Sequence, residues 1–488
     1  MTAPPARAAV VSGSVVLPLA LAQFVASYAG SNMNVAITTI ADDIGTTVVG
    51  MQTTITLFTL TMASLMIPGS KLTDIWGRKV CFMWGLGIYG TGALLASLSQ
   101  GLPLMIFGYS LLEGVGSALL IPPIYILITV LFQDTKSRAK YFGMVSGAAG
   151  LGAAAGPLIG GLITSAISWR ASFILQVLIV AVVAFLARKI DDPPRESPAP
   201  HFDLVGAVLS AAGLFFVVFG ILQSSTYGWF SSRKDFEVAG TVIIPEGSIS
   251  PVWLFFAVGA LFLLWFFLHI RSTEQKGGDP LVPIRLFRNR TSNLGLSTQT
   301  IQWLTMQGSF FVISVFLQEV RGYNAIQTGL MLTPTTIGVL LAAGAAERLA
   351  RRRSQRFLIR RGFGVTIVGL LLVLLLGRAD SANWTFMPGL FLVGAGIGVM
   401  LTSSVNVVQS AFPERDQGEI SGVSRSVSNL GSSLGVALAG SVLASEALPG
   451  NKTFAVSLLI MIVIAGIGFV AALLIPRDPE AGVEPAAS

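Results

Sequence analysis

Glu113 is the only carboxyl in the apolar run from Pro103 to Ile128. A charge inside an apolar helix is costly unless it is neutral, paired or wet, which suits a group that takes up and gives up a proton. Recognition of a cationic substrate, or a protonated acid bonded to a neighbouring helix, fits the same position. Ser110 and Ser117 lie three and four residues away, on the same helical face. A second cluster, Asp74, Gly77, Arg78 and Lys79, sits in the stretch Gly69–Lys79 between two apolar runs. Charges around a glycine turn suit a gate more than a proton carrier. A third, Gly152, Gly156, Pro157, Gly160 and Gly161, spaces small residues so that helix backbones touch, with a proline that bends the helix. Cys81 is the one cysteine, and His201 and His269 are far apart, so no disulfide framework or metal cluster is expected. No nucleophile–base pair or phosphate loop is present, so an enzyme is not expected.

The elements that must hold these residues follow from composition. Of 488 residues 53% are apolar and 11% charged, and the mean hydropathy is +0.75. Soluble chains carry roughly 25% charged residues, so a water-soluble protein is excluded and an all-α polytopic membrane protein is implied. Reading runs of about 20 apolar residues predicts fourteen spans, near 15–37, 50–68, 80–98, 103–128, 141–166, 171–188, 204–223, 252–270, 294–318, 327–346, 362–378, 385–409, 418–443 and 453–475. With both termini cytoplasmic, all but six of the 31 Lys and Arg residues lie inside; the six are Arg170, Arg233, Lys234, Arg321, Arg378 and Lys452. That asymmetry sets the orientation. The net charge of +7 therefore reports topology. The basic stretch 347–361 reads as an anchor touching anionic headgroups, not as a nucleic-acid patch. The outside loop near 224–251 holds β-branched residues around Pro245, Glu246 and Gly247, which predict a small hairpin. Residues 477–488 form a polar cytoplasmic tail.

Polar stripes mark candidate cavity walls. Gln23, Ser27, Ser31, Asn34 and Thr38 recur along helix 1; Gln299, Gln302, Trp303, Met306 and Phe310 along helix 9; Met400, Ser403 and Asn406 along helix 12. The same side chains also serve as interhelical glue.

At these motifs the chain resembles the major facilitator superfamily, and most of all its 14-helix drug:proton antiporter branch. Leu72, Asp74, Gly77, Arg78 and Lys79 match the family's cytoplasmic loop signature, with Ser70 in place of its first glycine and Gly69 one place early. Gly152, Gly156, Pro157, Gly160 and Gly161 match the antiporter signature of helix 5 completely. Weaker matches include Trp169-Arg170, Asp203 with Gly206, and Gly322-Tyr323. Gly431, Gly435 and Gly440 in helix 13 echo helix 5, and the 347–361 stretch echoes 69–79. Two departures stand out. Ala29 occupies the usual helix 1 aspartate position before Asn34-Val35-Ala36, and Ser110 the usual helix 4 arginine position.

The resemblance implies a major facilitator fold: six-helix bundles at 1–190 and 291–476, with helices 7 and 8 inserted in 191–290. Its function is then export of amphipathic drugs or natural products across the cytoplasmic membrane, by proton antiport with alternating access. Glu113 is the coupling candidate, Asp74, Gly77, Arg78 and Lys79 the gate, and Ser27, Ser31, Asn34, Ser110, Gln299, Gln302, Trp303, Met306 and Asn406 the substrate lining. A monomer among membrane lipids, powered by the proton gradient with no cofactor and no nucleic-acid partner, completes the expectation. Alternatives of the same fold are translocation of a lipid or lipid conjugate, and a metabolite facilitator.

Overall fold

The computed structural model describes residues 5–132, 135–190, 201–238, 241–350, 353–412, 417–444 and 452–476. The expected tail 477–488 and the side chain of Asp74 lie outside the described residues. Among them, fourteen helices are long and apolar enough to cross a membrane. In order, helices 1 to 14 are Val15–Val35, Val48–Thr73, Arg78–Ser97, Leu102–Ile128, Gly147–Ala166, Trp169–Ala187, Leu204–Ser224, Pro251–Gln275, Arg290–Val320, Ala325–Ala346, Gln355–Leu376, Asn383–Gln409, Glu419–Leu443 and Lys452–Leu474. Single residues write many of the boundaries. Thr47, Ser168, Asp203, Ser250, Asn289 and Ser354 each accept a hydrogen bond from a backbone N–H of the turn that follows, serving amides with no acceptor inside the helix.

Three expected connections are reshaped. The helical conformation of helix 2 continues to Trp76, so the Gly69–Lys79 hairpin is a turn at Gly77 alone, with φ +102°, a conformation that favours glycine. The helical conformation of helix 10 continues to Ala350 and helix 11 starts at Gln355, so most of the 347–361 stretch belongs to two helix ends. Arg356 and Arg360 donate to the Leu473 carbonyl at 2.6 and 3.0 Å, and Arg360 also to Ala472 at 3.2 Å. They serve carbonyls at the C-terminus of helix 14 that lack partners in their own helix. In the 224–251 loop, Phe236–Val238 pairs antiparallel with Thr241–Ile244. Pro245 to Ser248, expected to make the hairpin turn, forms a separate one, closed by the Ser248 N–H donating to the Pro245 carbonyl at 3.2 Å.

The helices pack with an eight-span repeat. Helix 1 packs on 5 and 6, helix 4 on 2 and 3, and helix 3 on 6; likewise helix 9 packs on 13 and 14, helix 12 on 10 and 11, and helix 11 on 14. Across the two groups helix 2 meets 13 and helix 5 meets 10, while helices 7 and 8 pair and helix 7 leans on 2 and 13. Parallel repeats of this kind place a site at the interface of the two groups. The echoing glycines serve matching contacts. A Cβ at Gly152 would stand 2.3 Å from the Phe24 carbonyl oxygen of helix 1; at Gly431 and Gly435 it would stand 2.3 Å from the Thr300 and Leu304 oxygens of helix 9.

Arg78, Lys79, Arg188, Arg285 and Arg356 mark one end of the spans, the basic end. At the opposite end each group is clipped by an arginine. Arg170 bonds the Asp43 carboxylate and, at 2.9 Å, the Ser99 carbonyl, and lies over the Trp169 ring, whose Nε1 donates to Asp43 at 3.1 Å. That joins the connections after helices 1, 3 and 5. Arg321 donates to the Ser381 carbonyl at 2.8 Å and to Asn383 Oδ1 at 3.0 Å, joining those after helices 9 and 11.

The Arg170 hydrogen bond holds the Asp43 carboxyl below the usual carboxylate range. A lowered value stabilises the fold above the ordinary carboxylate range, and the contribution is lost as pH falls through the lowered value. Both side chains are a third or more exposed, so only about 0.2–1 kcal/mol is expected. Asp43→Asn should therefore lower the thermal midpoint of detergent-solubilised protein slightly at neutral pH. The gap should close in acid, and one that persists there would overturn the assignment.

Candidate functional site

The residues expected to form a gate come first in the chain. A Cβ at Gly69 would stand 2.4 Å from the Ala118 carbonyl oxygen, so this glycine seats helix 2 on helix 4; one at Gly422 of helix 13 would stand 3.4 Å from Ser70 Cβ. Ser70, the departure from the loop signature, thus faces the other group across the interface. Lys79 Nζ donates to the Arg188 carbonyl at 2.9 Å, and Arg78 Nε is buried without an acceptor. The Gly77 N–H donates to the Thr73 carbonyl at 3.1 Å, ending helix 2.

Helix 5 uses two faces of its glycine motif. Gly152, Gly156 and Gly160 lie on Phe24, Ser31 and Asn32 of helix 1, while Gly161 meets the Ala325 backbone of helix 10. Gly329 of helix 10 packs in turn on the Pro157 carbonyl. The motif is therefore a seam within the first group and, at the end away from the basic residues, a seam between the groups.

Glu113 closes a π-helical run, Ile106–Glu113, inside helix 4. Such wider turns rotate the residues that follow and are frequent at functional sites. The common face expected for Ser110 and Glu113 is lost. Ser110 Oγ donates to the Thr54 carbonyl of helix 2 at 2.7 Å, whereas Glu113 is fully buried beside Tyr89 and Tyr109. Helices 3 and 4 approach closely there: a Cβ at Gly92 would stand 2.7 Å from the Glu113 amide nitrogen. The Tyr89 hydroxyl donates to Gln176 Oε1 of helix 6 at 2.5 Å, and that of Tyr109 to the Ala29 carbonyl at 3.2 Å. Neither Glu113 oxygen accepts a hydrogen bond, and Gln176 Nε2 and Ser117 Oγ are likewise buried without partners. A carboxylate here would lose its hydration with no cation and only the neighbouring Tyr89 hydroxyl in return. The Tyr89 hydroxyl is the polar group beside the carboxyl.

Several expected lining residues are occupied within one group instead. Gln299 Nε2 donates to Ser428 at 2.8 Å and its Oε1 accepts from Ser424 at 2.9 Å, joining helices 9 and 13. Ser31 Oγ points to the carbonyls of Ser27, Tyr28 and Gly152, and Ser110 is bound to helix 2 as above. These three are hydrogen-bonded within one group, as buried hydroxyls and amides generally are. Gln302 Oε1 accepts from Ser404 at 2.7 Å, leaving Nε2 buried without an acceptor. Asn34 is buried with both amide atoms unpartnered. Ser27 is half-buried and takes the Gln23 amide at 3.3 Å. Trp303 and Asn406 are half-buried and Met306 is buried.

The interface between the groups is held mostly by residues outside those stripes, with Asn34 and Thr38 of the helix 1 stripe taking part. Gln52 Nε2 donates to the Ala437 carbonyl and Ser433 to the Thr56 carbonyl, both at 3.1 Å. At the end opposite the basic one, Gln318 of helix 9 accepts from Thr38 at 3.0 Å and donates to the Asn34 carbonyl at 3.0 Å. Toward the basic end, Arg425 of helix 13 lies over the Tyr125 ring of helix 4, 4.8 Å to its centroid, and bonds its hydroxyl. Sequence reading passed over Arg425, although a lone arginine six residues into an apolar span is a functional signal. Gln318 and the Tyr89–Gln176 pair carry no such signal.

A separate apolar groove of about 610 Å³ lies on helices 2, 3 and 4, lined among others by Leu72, Trp76, Val80, Trp84 and Leu119. Trp76 and Trp84 are exposed. It sits within the first group, not between the two.

Comparison with known proteins follows the same lines. The family model described as Major Facilitator Superfamily matches residues 19–436. The chain is 26% identical over 396 residues to the multidrug resistance protein Stp of Mycobacterium tuberculosis, covering 81% of this chain and 69% of that one. It is 28% identical over 424 residues to a probable actinorhodin transporter of Streptomyces coelicolor, covering 85% and 69%. With the cephamycin export protein CmcT of Amycolatopsis lactamdurans the identity is 27% over 421 residues, covering 86% and 82%.

Proposed function

The chain belongs to the major facilitator superfamily, and from that premise we propose that it is a secondary exporter of amphipathic drugs or natural products, driven by proton antiport. It is a multi-pass membrane protein with fourteen candidate spans, and its family is one of transporters, not enzymes. Relatives named for multidrug resistance, actinorhodin transport and cephamycin export support the substrate class. In this reading the basic end faces the cytoplasm with both termini, and the six-helix groups are the bundles that rock. A single chain among lipids does the work, with the proton gradient as its energy source and no cofactor.

The observation that carries the coupling is Glu113, fully buried and unpartnered behind the helix 3 and helix 4 contact. Protonated, it is at home in the packed first bundle. Giving up the proton requires water or a donor to reach it, and so a rearranged bundle. Proton and substrate drive a cycle only if each binds the two facing states with different affinity. Inside-out vesicles given an imposed pH gradient and a panel of fluorescent amphipathic dyes test this. At least one dye should accumulate with the gradient, and a protonophore should collapse the accumulation. Accumulation indifferent to the protonophore would overturn antiport.

A second reading, lipid translocation, draws on the exposed apolar groove of helices 2, 3 and 4. Its place within one bundle gives it no path between the facing states, so dye export is preferred. Vesicles that move no dye but scramble a labelled lipid would reverse the preference.

A further inference from the structure

We infer that Arg425 binds an acidic group of the substrate, so that the compounds exported are organic anions, with Tyr125 as the group that covers the guanidinium when the site is empty. The inference rests on the exporter reading and adds the substrate's charge to it.

Arg425 lies six residues into helix 13 and reaches across to helix 4, in the interface where a superfamily fold holds its substrate. Its partner there is neutral: the ring and hydroxyl of Tyr125. Among the described residues no carboxylate pairs with it. Glu113, the carboxyl deep in helix 4, is taken up in the cluster of Tyr89 and Tyr109 inside the first bundle and does not neutralise it. A guanidinium in an apolar seam is costly to leave uncompensated, and a tyrosine face only partly offsets that. Its fork of N–H donors matches a carboxylate or similar anion in two parallel bonds.

The surroundings lean the same way. Ser424 and Ser428, either side of Arg425, are both tied to Gln299, which fixes the helix 13 face that carries the arginine. Gln302, one turn along helix 9, keeps a buried amide N–H group with no acceptor. That group is a donor, as the guanidinium is, and an anion supplies acceptors. When the basic end opens, helices 4 and 13 separate and Arg425 loses Tyr125. A substrate anion entering from that side takes its place, and closure then seals the anion under the same ring. The proton and substrate charge are thus held at two places, Glu113 within one bundle and Arg425 between the two.

A matched pair of probes tests this: a fluorescent carboxylic acid and its neutral methyl ester, in the gradient-loaded vesicles, with Arg425→Gln, Arg425→Lys and Tyr125→Phe. Wild type should prefer the acid. Arg425→Gln should cut acid uptake by about tenfold or more, the scale of a lost charge-assisted bond, while ester uptake changes far less. Arg425→Lys should keep part of the acid preference, and Tyr125→Phe all of it. Equal falls for acid and ester would overturn the inference and leave Arg425 as a closing contact only. Cationic dyes exported while the acid is ignored would overturn it and leave the exporter standing. No gradient-driven uptake of any dye would overturn the exporter reading as well. If Arg425→Gln does not reach the membrane, the acid-to-ester ratio of Arg425→Lys decides: a ratio unchanged from wild type while both rates fall would sink the inference.

Discussion

Glu113→Gln is expected to abolish gradient-driven uptake, leaving a tenth or less of the wild-type rate, while exchange of substrate down its own gradient persists. The amide copies the shape and neutrality of the protonated acid, so the packed bundle in which Glu113 is fully buried should form as before. What the amide lacks is a proton to release. Because the amide can donate to the Tyr89 oxygen beside it as the protonated acid does, thermal stability should stay close to that of the wild type. The distinguishing measurement is therefore transport with and without the pH gradient, on protein of normal yield and stability. Driven uptake that survives Glu113→Gln would move coupling to another group. A collapse of both driven uptake and exchange would make Glu113 a structural residue. Glu113→Asp, which keeps an acid on a shorter arm, should retain partial driven uptake.

The reach of the sequence differed between levels of structure. The fourteen spans were legible because run length against bilayer thickness is a one-dimensional property, and so was the helix 5 motif, since small residues at fixed spacing have one principal use. The lining residues were not. Ser31, Ser110 and Gln299 are polar at helical spacing, but their partners are set by the rotation of each helix, and in helix 4 the π-helical run Ile106–Glu113 changes that rotation midway. Periodicity counted at 3.6 residues per turn cannot register it. The helix ends within the charged stretches were not legible for another reason. Gly77 alone makes the first turn, and Arg356 and Arg360 cap helix 14, because helices extend as far as backbone carbonyls find donors, beyond the point where apolar composition ends. Arg425 was visible but weighed only as one more basic residue on the cytoplasmic side; its meaning depends on helix 4 lying opposite, which no single span discloses.

The contact between helices 5 and 10 allows a conformational test independent of any substrate. A Cβ at Gly161 would stand 2.5 Å from the Ala325 carbonyl oxygen, and one at Gly329 would stand 2.3 Å from that of Pro157. Both obstacles are backbone atoms, which have no rotamer to yield, so Gly161→Leu or Gly329→Leu must push the two helices apart. Overpacking of this kind costs about 1–3 kcal/mol, and it is charged only to the conformation in which these helices touch. The state open at the end opposite the basic one escapes the penalty and should gain a factor of ~5 to ~150 in population. Spin labels at the exposed residues Ile167 and Leu330 should report a longer separation, and turnover should fall about tenfold or more because the cycle stalls in one facing state. Gly344→Leu, on helix 10 where nothing lies within 4 Å of a built Cβ, should change neither. If the wedges slow transport without lengthening the label distance, helices 5 and 10 are not a seam that opens. A longer distance with undiminished turnover would mean that their closure does not limit the cycle.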